Sequence, residues 1–425
     1  MNKKLIAVAV GSALGVIGMP AFAQSSTVTL SGNLNYMYGY YDNGGAGYAN
    51  ATANSIAPGV AKNRTDSLTN SESEWVLTGE ENLGGGMAAF FRCASTMDLT
   101  GAGASIMCGR TSYIGMKGGF GAVSFGNNDT PIKQMIALYD PFPISAPTGQ
   151  GAQMFNGVSS AAGNSGNVSG AASSFSRRQN NLITYSMPTM NGFDAAVAYS
   201  AANEATGSTS ASTITKPRMY SVMANYTNGP LKVGIGYERH IDFNPGSGQT
   251  TAATVVGTIA GAATGAMLGT YKGGRDSSYQ MGAAYTFNGS LTVSAIYANM
   301  KYDNIDGFGA DMSVSTYGLY GAWAISGPHS LKLGYGVQGS TKGTFIQAVG
   351  APVGVYTANG GAGQSGSQKF HGEYSYAMSK RTEVSLGYAR ISNDRNSNIN
   401  VGTGSSFANF GETQSYGGMR VNHKF

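Results

Sequence analysis

Charged side chains are scarce in this 425-residue sequence. Asp, Glu, Lys and Arg make up 11% of the residues, about half the share found in an ordinary soluble domain. The chain has no run of like charges and no linker-like change of composition, so nothing marks a domain boundary. After residue 23, no apolar stretch is long enough to cross a bilayer as a helix. Tyrosine, with 25 residues, and glycine, with 64, are abundant instead, and the many aromatics argue against disorder.

The first 23 residues have the three parts of a secretory signal peptide. Two lysines near the start precede a short apolar stretch, and an A-F-A triplet at 21–23 supplies a small-residue cleavage site. We expect a signal peptide at 1–23 and a mature chain at 24–425, with an uncleaved membrane anchor as the alternative. Cleavage removes two lysines and no acid, so the net charge falls from +5 to +3. That balance is too small to indicate nucleic-acid binding.

Apolar and polar residues alternate along many segments with the two-residue period of a β-strand. In "LKVGIGYE", Leu231, Val233, Ile235 and Tyr237 share one face, and the other face is mostly small or polar. The segments "TVTLSGNLNYMYGY" and "LKLGYGVQ" repeat this pattern. Alternation predicts an all-β chain, but it does not separate a soluble sandwich from a transmembrane barrel.

The connections between these segments favour the barrel. Short turns such as "LGGG", "GGFG", "NGP" and "NGS" alternate with long loops rich in Gly, Ser, Ala and Asn. Seven short turns and eight long loops predict a 16-stranded antiparallel transmembrane β-barrel with short periplasmic turns and long external loops. The predicted strands are 26–41, 67–82, 87–97, 108–117, 121–128, 178–187, 192–202, 217–227, 231–243, 277–287, 291–303, 312–324, 330–341, 367–377, 382–392 and 413–425.

Two neighbouring hairpins carry a family resemblance. "TGEENLGGGMAAFF" and "GRTSYIGMKGGFGAVSFGNNDTP" resemble the G-x-E-D-L-G-G-G-L and R-x-x-Y-V/I-G-L-x-G-x-F-G segments of the general porins of β-proteobacteria. "NNLITYSMPTMNGF" is similar to their next hairpin, and "GGMRVNHKF" to their closing strand. The resemblance covers the whole mature chain.

This resemblance implies a homotrimer in the outer membrane of a Gram-negative bacterium, each barrel with its own pore. It implies that the third long loop, residues 129–176, folds inward and narrows the channel. Phe425 is then the signal read by the barrel-assembly machinery. The implied partners are lipopolysaccharide, outer-membrane lipid and small hydrophilic solutes.

Alternation also predicts which charges face the lumen. Arg92, Arg110 and Arg420 have inward parity, and Arg178 lies beside the third loop. We expect these four to form a basic wall. The alternative for each is a solvated or salt-bridged structural role.

Acids are expected to face this wall from the third loop. Asp129 and Asp140 supply them, and rings of opposed charge set ion preference in channels. Departures from the family weaken that preference, because Glu74 and Thr78 stand where its members carry arginines. The sequence therefore predicts weak ion selectivity of undetermined sign.

The two cysteines, Cys93 and Cys108, lie on adjacent predicted strands joined by the second long loop. Alternation from Phe91 and from Tyr113 gives both a lipid-facing parity. Because the periplasm is oxidising, an even cysteine count in an exported chain favours a disulfide. We expect a bridge that conduction does not need. Two free thiols are the alternative.

The sequence gives no basis for a cofactor, a metal site or an enzyme. The four histidines, His240, His329, His371 and His423, lack metal-ligand spacing. A G-x-G-x-x-G match at 361–366 lacks the strand-to-helix setting of a dinucleotide site. We therefore expect a channel for passive diffusion of ions and small hydrophilic solutes. The alternatives are a substrate-selective channel and a surface adhesin or structural barrel with a plugged lumen.

Overall fold

The computed structural model describes residues 26–44, 63–98, 100–101, 106–142, 154–155, 175–200, 218–241, 275–303, 311–344, 365–394, 397, 399–401 and 411–425. The predicted signal peptide and most of each long loop lie outside these ranges. Within them, no helix has the length and apolarity needed to cross a membrane. The elements are β1 (Ser26–Asn43), β2 (Asn63–Asn70), β3 (Glu74–Gly84), β4 (Met87–Thr96), β5 (Ser112–Gly118), β6 (Gly121–Asp129), α1 (Pro131–Tyr139), β7 (Arg178–Ser186), β8 (Phe193–Ser200), β9 (Arg218–Asn228), β10 (Leu231–Ile241), β11 (Arg275–Phe287), β12 (Leu291–Asp303), β13 (Asp311–Ser326), β14 (His329–Gln338), β15 (Lys342–Thr344), β16 (Ser367–Ala377), β17 (Thr382–Asn393) and β18 (Thr413–Lys424).

The strands form one closed antiparallel sheet in which sequence neighbours pair and β18 returns to β1. Two strands are interrupted. Both β2 and β3 pair with β1, and both β14 and β15 pair with β13. Counting each interrupted pair once gives sixteen strands, which confirms the predicted 16-stranded antiparallel barrel. Closure leaves no unpaired sheet edge, as the interior of a bilayer requires.

The short turns match the sequence prediction because their residues allow left-handed backbone. Asn288 and Gly289 between β11 and β12 have φ of 48° and 68°, and Asn191 and Gly192 before β8 have φ of 51° and 84°. Asn and Gly tolerate such positive φ values, which suit the tight turns of hairpins. The predicted strand bounds 291–303 and 367–377 are those of β12 and β16.

The two faces of the wall have opposite polarity. On β10, Ile235 is 61% exposed on the outer face, whereas Glu238 is completely buried on the inner one. Large apolar side chains of nearly every strand are exposed in the same outward way. A water-soluble protein would hide them, so the outer surface is an apolar band suited to lipid.

The last residue belongs to the ladder that closes the barrel. The Phe425 backbone N–H donates to the Gly32 carbonyl at 3.0 Å, and the Gly32 N–H donates to the Phe425 carbonyl at 3.1 Å. A Cβ added to Gly32 would lie 2.6 Å from Cζ of Phe425, so the ring covers the glycine. Chain closure therefore extends to the final aromatic residue.

Helix α1, which was not expected from the sequence, follows β6 at the start of the third loop. Thr130 caps it, with the Lys133 N–H donating to Oγ1 at 3.4 Å, and Pro131 occupies the first turn. Four of its buried residues have helical spacing: Ile132, Met135, Ile136 and Tyr139. A Thr-Pro start before an i, i+3, i+4, i+7 pattern is the signal that would have identified it.

Candidate functional site

The helix α1 lies inside the barrel against inward-facing glycines. Gly236 alternates with the exposed Ile235, and a Cβ added there would lie 2.9 Å from Sδ of Met135. A Cβ added to Gly282 on β11 would overlap the Tyr139 ring. Gly236 and Gly282 thus leave a shallow depression on the inner wall in which α1 packs, and a larger side chain at either position would fill it. We call this depression the seat of α1.

Polar contacts hold the loop to this seat. The Ile132 N–H donates to Oγ of Ser221 on β9 at 3.2 Å, and Ser294 Oγ on β12 donates to the Tyr139 carbonyl at 2.6 Å. Further along the loop, the Met154 carbonyl accepts bonds from wall side chains of β13 and β14. The donors are Thr316 Oγ1 at 3.1 Å and Gln338 Nε2 at 2.7 Å.

The loop then returns to its starting point. The Phe175 ring stacks on His240 of β10, with ring centroids 4.8 Å apart. The Thr130 N–H donates to the Arg177 carbonyl at 3.2 Å, which brings the two ends of the loop together. Residues 143–153 and 156–174 lie outside the described ranges, so only these anchored parts of the predicted 129–176 loop are placed.

The anchored loop divides the inner wall into two parts. Several inward polar groups of β10 to β16, among them Glu238, Asp276 and Lys369, are completely buried. Beside β1 and β3 to β6, by contrast, a cavity of about 440 Å³ has Thr78, Phe90 and Arg92 in its lining. The accessible lumen therefore lies beside the early strands.

Seven charged side chains meet at this accessible side, and we call them the main charge cluster. Arg110 Nε lies 2.8 Å from Glu74 Oε2 and Arg92 Nη2 lies 3.3 Å from Glu74 Oε1. Asp129 Oδ1 binds Lys133 Nζ at 2.9 Å and Arg178 Nε at 3.3 Å. Arg110 is also paired with Glu72. The members are Glu72, Glu74, Arg92, Arg110, Asp129, Lys133 and Arg178.

Burial lowers the pKa of the two bases of this cluster that lie outside the strands, Arg110 and Lys133. It lowers the pKa of Arg110 to about 10, with Arg178 acting in the same direction and Asp129 against it. Burial also lowers the pKa of Lys133, and Asp129 opposes that effect. Arg110 still carries its charge at pH 7. With four bases against three acids, the cluster has a formal excess of one positive charge.

A closed antiparallel barrel with an inward loop and a charged lumen is the architecture of a membrane channel. A family model described as Gram-negative porin matches residues 7–396, which is most of the chain. The chain belongs to the Gram-negative porin family. The predicted family and the predicted place in the outer membrane are confirmed, and members of this family are channels.

Individual relatives agree with this assignment. Outer membrane porin protein 32 of Delftia acidovorans is 29% identical to this porin over 337 residues, 79% of either chain. The structure of an anion-selective porin from Comamonas acidovorans aligns with a TM-score of 0.68 and 21% identity, over 94% of this chain and 100% of that one. OmpT of Vibrio cholerae, in a trimer form, aligns with a TM-score of 0.60 and 13% identity, over 94% and 100%. Both structures share the barrel fold of this porin.

The predicted single wall of four arginines is not what the structure of this porin shows. Arg420 belongs to a separate group, which we call the C-terminal charge cluster. Its Nη2 lies 2.5 Å from Glu383 Oε1 and 3.5 Å from Glu373 Oε1, and Lys332 Nζ lies 3.1 Å from the same Glu373 atom. The cluster consists of Lys332, Glu373, Glu383 and Arg420, so its formal charges balance. Alternation does not identify the partners of Arg420, which lie on β16 and β17.

Asp140 does not oppose the arginines as expected. It ends α1 in a buried position, where its Oδ1 accepts the Phe142 N–H at 3.0 Å. Its electrostatic neighbours include Lys369 on β16 and Tyr320 on β13. The helix carries Asp140 away from β6, which is why an alternation argument could not place it.

The two cysteines of the porin form a disulfide between β4 and the turn that precedes β5, with Cα atoms 4.7 Å apart. Cys108 does not have the strand parity expected from Tyr113. Tyr113 lies directly opposite the inward Arg92, so it faces the lumen, and its ring meets Phe90 edge-on at 6.0 Å. Cys108 reaches its partner from a turn residue with φ of 54° rather than from a strand.

Replacing both cysteines with serine is expected to destabilise the second loop and leave conduction intact. The bridge closes a segment with a sequence separation of 15 residues, worth ~3 kcal/mol in the chain-entropy model. The measurement is the urea or heat sensitivity of the folded porin, with single-channel conductance recorded on the same sample. Loss of current in the double variant, or two alkylatable thiols in freshly isolated wild type, would contradict this account.

Two charged residues near the pore, Glu72 and Lys133, were not predicted from the sequence. Glu72 shares the parity of Glu74 and was open to prediction, although its φ of 61° places it in the break between β2 and β3. Lys133 follows Asp129 by four residues, which is the spacing of an ion pair on a helix. This pair could not be predicted without also predicting α1. Among the described residues, no group of three His, Cys, Asp or Glu side chains could hold a metal ion.

Proposed function

We propose that the main charge cluster and α1 form the narrow region of a general diffusion channel with a weak preference for anions. The supporting observation is the group of four bases and three acids, of which Arg92 also lines the cavity beside the early strands. Because lumen charge biases the local ion concentration, an excess of one positive charge favours anions slightly. Most of the charge is paired, so the preference is small.

Solute flux tests this proposal against a substrate-selective channel. Proteoliposomes containing the porin are expected to swell in uncharged sugars at rates that fall smoothly as solute size increases. A solute class that enters faster than its size allows, or that saturates, would favour the selective channel instead. Absence of swelling would favour the plugged barrel.

A homotrimer and passage through the barrel-assembly machinery complete the proposal. The trimer form of the similar Vibrio cholerae OmpT supports the first. Paired backbone bonds between Gly32 and Phe425 support a role for the last residue in closing the barrel. Lipopolysaccharide and outer-membrane lipid are the expected surroundings of the exposed apolar band.

Deleting Phe425, or replacing it with serine, should strongly reduce insertion while leaving export intact. The change removes the ring that covers Gly32 at the point of closure. Heat-resistant trimer in outer-membrane fractions is the measurement, and Phe425→Tyr is the matched control because it keeps an aromatic ring. Wild-type amounts of trimer in the deletion variant would contradict this prediction.

A further inference from the structure

Four consecutive strands each carry a basic side chain on the outer surface. Arg218 on β9, Arg239 on β10, Arg275 on β11 and Lys301 on β12 lie near the external ends, away from the short turns. Arg239 is half-buried and the other three are exposed. All four share parity with the exposed apolar residues of their strands, so they point away from the lumen. We call these four residues the basic belt.

The strand register brings the basic belt together. Arg239 lies directly opposite Ser277, and Ser277 lies directly opposite Lys301. Arg218 and Arg275 are both opposite Ile241, one step further out. Neighbouring strands are ~4.8 Å apart, so Arg239 and Lys301 are separated by ~10 Å at the backbone. Their long side chains can reach one anionic group above the hydroxyl of Ser277.

An aromatic girdle lies below the basic belt. Tyr237 and Tyr279 form a cross-strand pair with ring centroids 5.0 Å apart, and Tyr297 and Tyr317 form another at 5.1 Å. Tyrosine rings of this kind mark the boundary between hydrocarbon and headgroups. The belt residues lie two to four positions beyond these tyrosines or their cross-strand neighbours. That is the depth of lipid headgroups in the outer leaflet.

In the described part of the chain, the basic belt makes no ion pair with a carboxylate. Asp303 lies opposite Arg275 in the register, yet no carboxylate in the described part of the chain is within ion-pair distance of the four bases. The outward Arg64 of β2 differs, because its Nε lies 3.2 Å from Asp42. The belt is thus a cationic surface at headgroup depth.

We propose that the basic belt binds the phosphate groups of a phosphorylated glycolipid, lipid A, in the outer leaflet. Guanidinium groups bind phosphate oxygens in a bidentate manner, and the ammonium of Lys301 adds a further donor. The acyl chains then lie on the apolar surface below the girdle, where Ile235 and Met281 are exposed. This inference rests on the porin's place in the outer membrane and gives the expected lipid contact a defined site.

Lipid binding by the full-length folded porin tests the proposal. Bisphosphorylated lipid A is titrated in detergent and the bound fraction is read by native mass spectrometry. The Arg239→Gln/Lys301→Gln variant is expected to bind about 30-fold more weakly, from the contribution of each surface base to anionic lipid binding. Arg390→Gln is the matched control, because Arg390 is exposed on β17 opposite Phe370 and Ser415 rather than another base. Its affinity should equal that of the wild type.

Three results would overturn the proposal. They are equal affinity in the double variant, equal affinity for dephosphorylated lipid A, and competition by inorganic phosphate at concentrations that match the lipid. Binding should also weaken as salt increases, because the belt is exposed. Conductance of the same samples is expected to be unchanged, since the belt lies outside the lumen. A porin that binds lipid A but fails to conduct would contradict the diffusion channel and leave this inference standing.

Discussion

Removing the anchored third loop is expected to raise single-channel conductance about twofold or more and to admit larger solutes, because pore width sets both. A short Gly-Ser linker in place of residues 131–176 should be tolerated. The Thr130 N–H already bonds the Arg177 carbonyl at 3.2 Å, and β6 pairs directly with β7. Conductance in planar bilayers is the measurement. Unchanged conductance in a folded variant would show that the loop does not narrow the channel.

A point substitution tests the seat of α1 without shortening the chain. Gly282→Leu places carbon atoms where the Tyr139 ring lies, so the helix should leave the wall and the conductance should spread over several levels. Overpacking of this kind costs ~1–3 kcal/mol. Gly321→Leu on β13 is the matched control, because a Cβ there meets no atom within 4 Å. A wild-type current histogram for Gly282→Leu would argue against the seat.

Neutralising two arginines of the main charge cluster is expected to shift the ion selectivity of the channel toward cations. Arg92→Ala with Arg110→Ala changes the formal charge of the cluster from +1 to −1 and leaves Glu72 and Glu74 without these partners. The cation-to-anion permeability ratio should rise roughly threefold or more at low salt. The shift should shrink near 1 M salt, where the Debye length is ~3 Å.

Controls separate a pore effect from a general loss of charge. Glu74→Gln should shift the permeability ratio the other way, toward anions, and Arg390→Gln on the outer surface should not shift it. Folding of each variant is checked by its resistance to heat in detergent, because breaking a partly buried ion pair leaves its partner uncompensated. An unchanged reversal potential in the double variant at low salt would remove the cluster from the narrow region.

Alternation located nearly every strand because the wall has one lipid face and one lumen face, and this imposes a strict two-residue period. The same rule failed where the chain leaves the wall. It missed α1, whose period is 3.6 residues. It also began the predicted strand that corresponds to β5 at residue 108, where Cys108 and Gly109 form part of a turn.

Alternation also gives a side chain its face but not its height or its neighbours around the barrel. Arg92 and Arg420 have the same inward parity, yet their acids come from different strands. Those partners depend on register and tilt, which a linear pattern does not carry. Asp140 was misplaced for a related reason, since α1 carries it across the lumen to the side of Lys369.

The most direct test of the central claim is the current through single purified porins in a planar bilayer, with the reversal potential read in a KCl gradient. We predict stable stepwise conductance and a small reversal potential of the sign that anion preference gives. A folded porin that carries no current would contradict the open channel, and a large reversal potential of cation sign would contradict the proposed charge balance of the lumen.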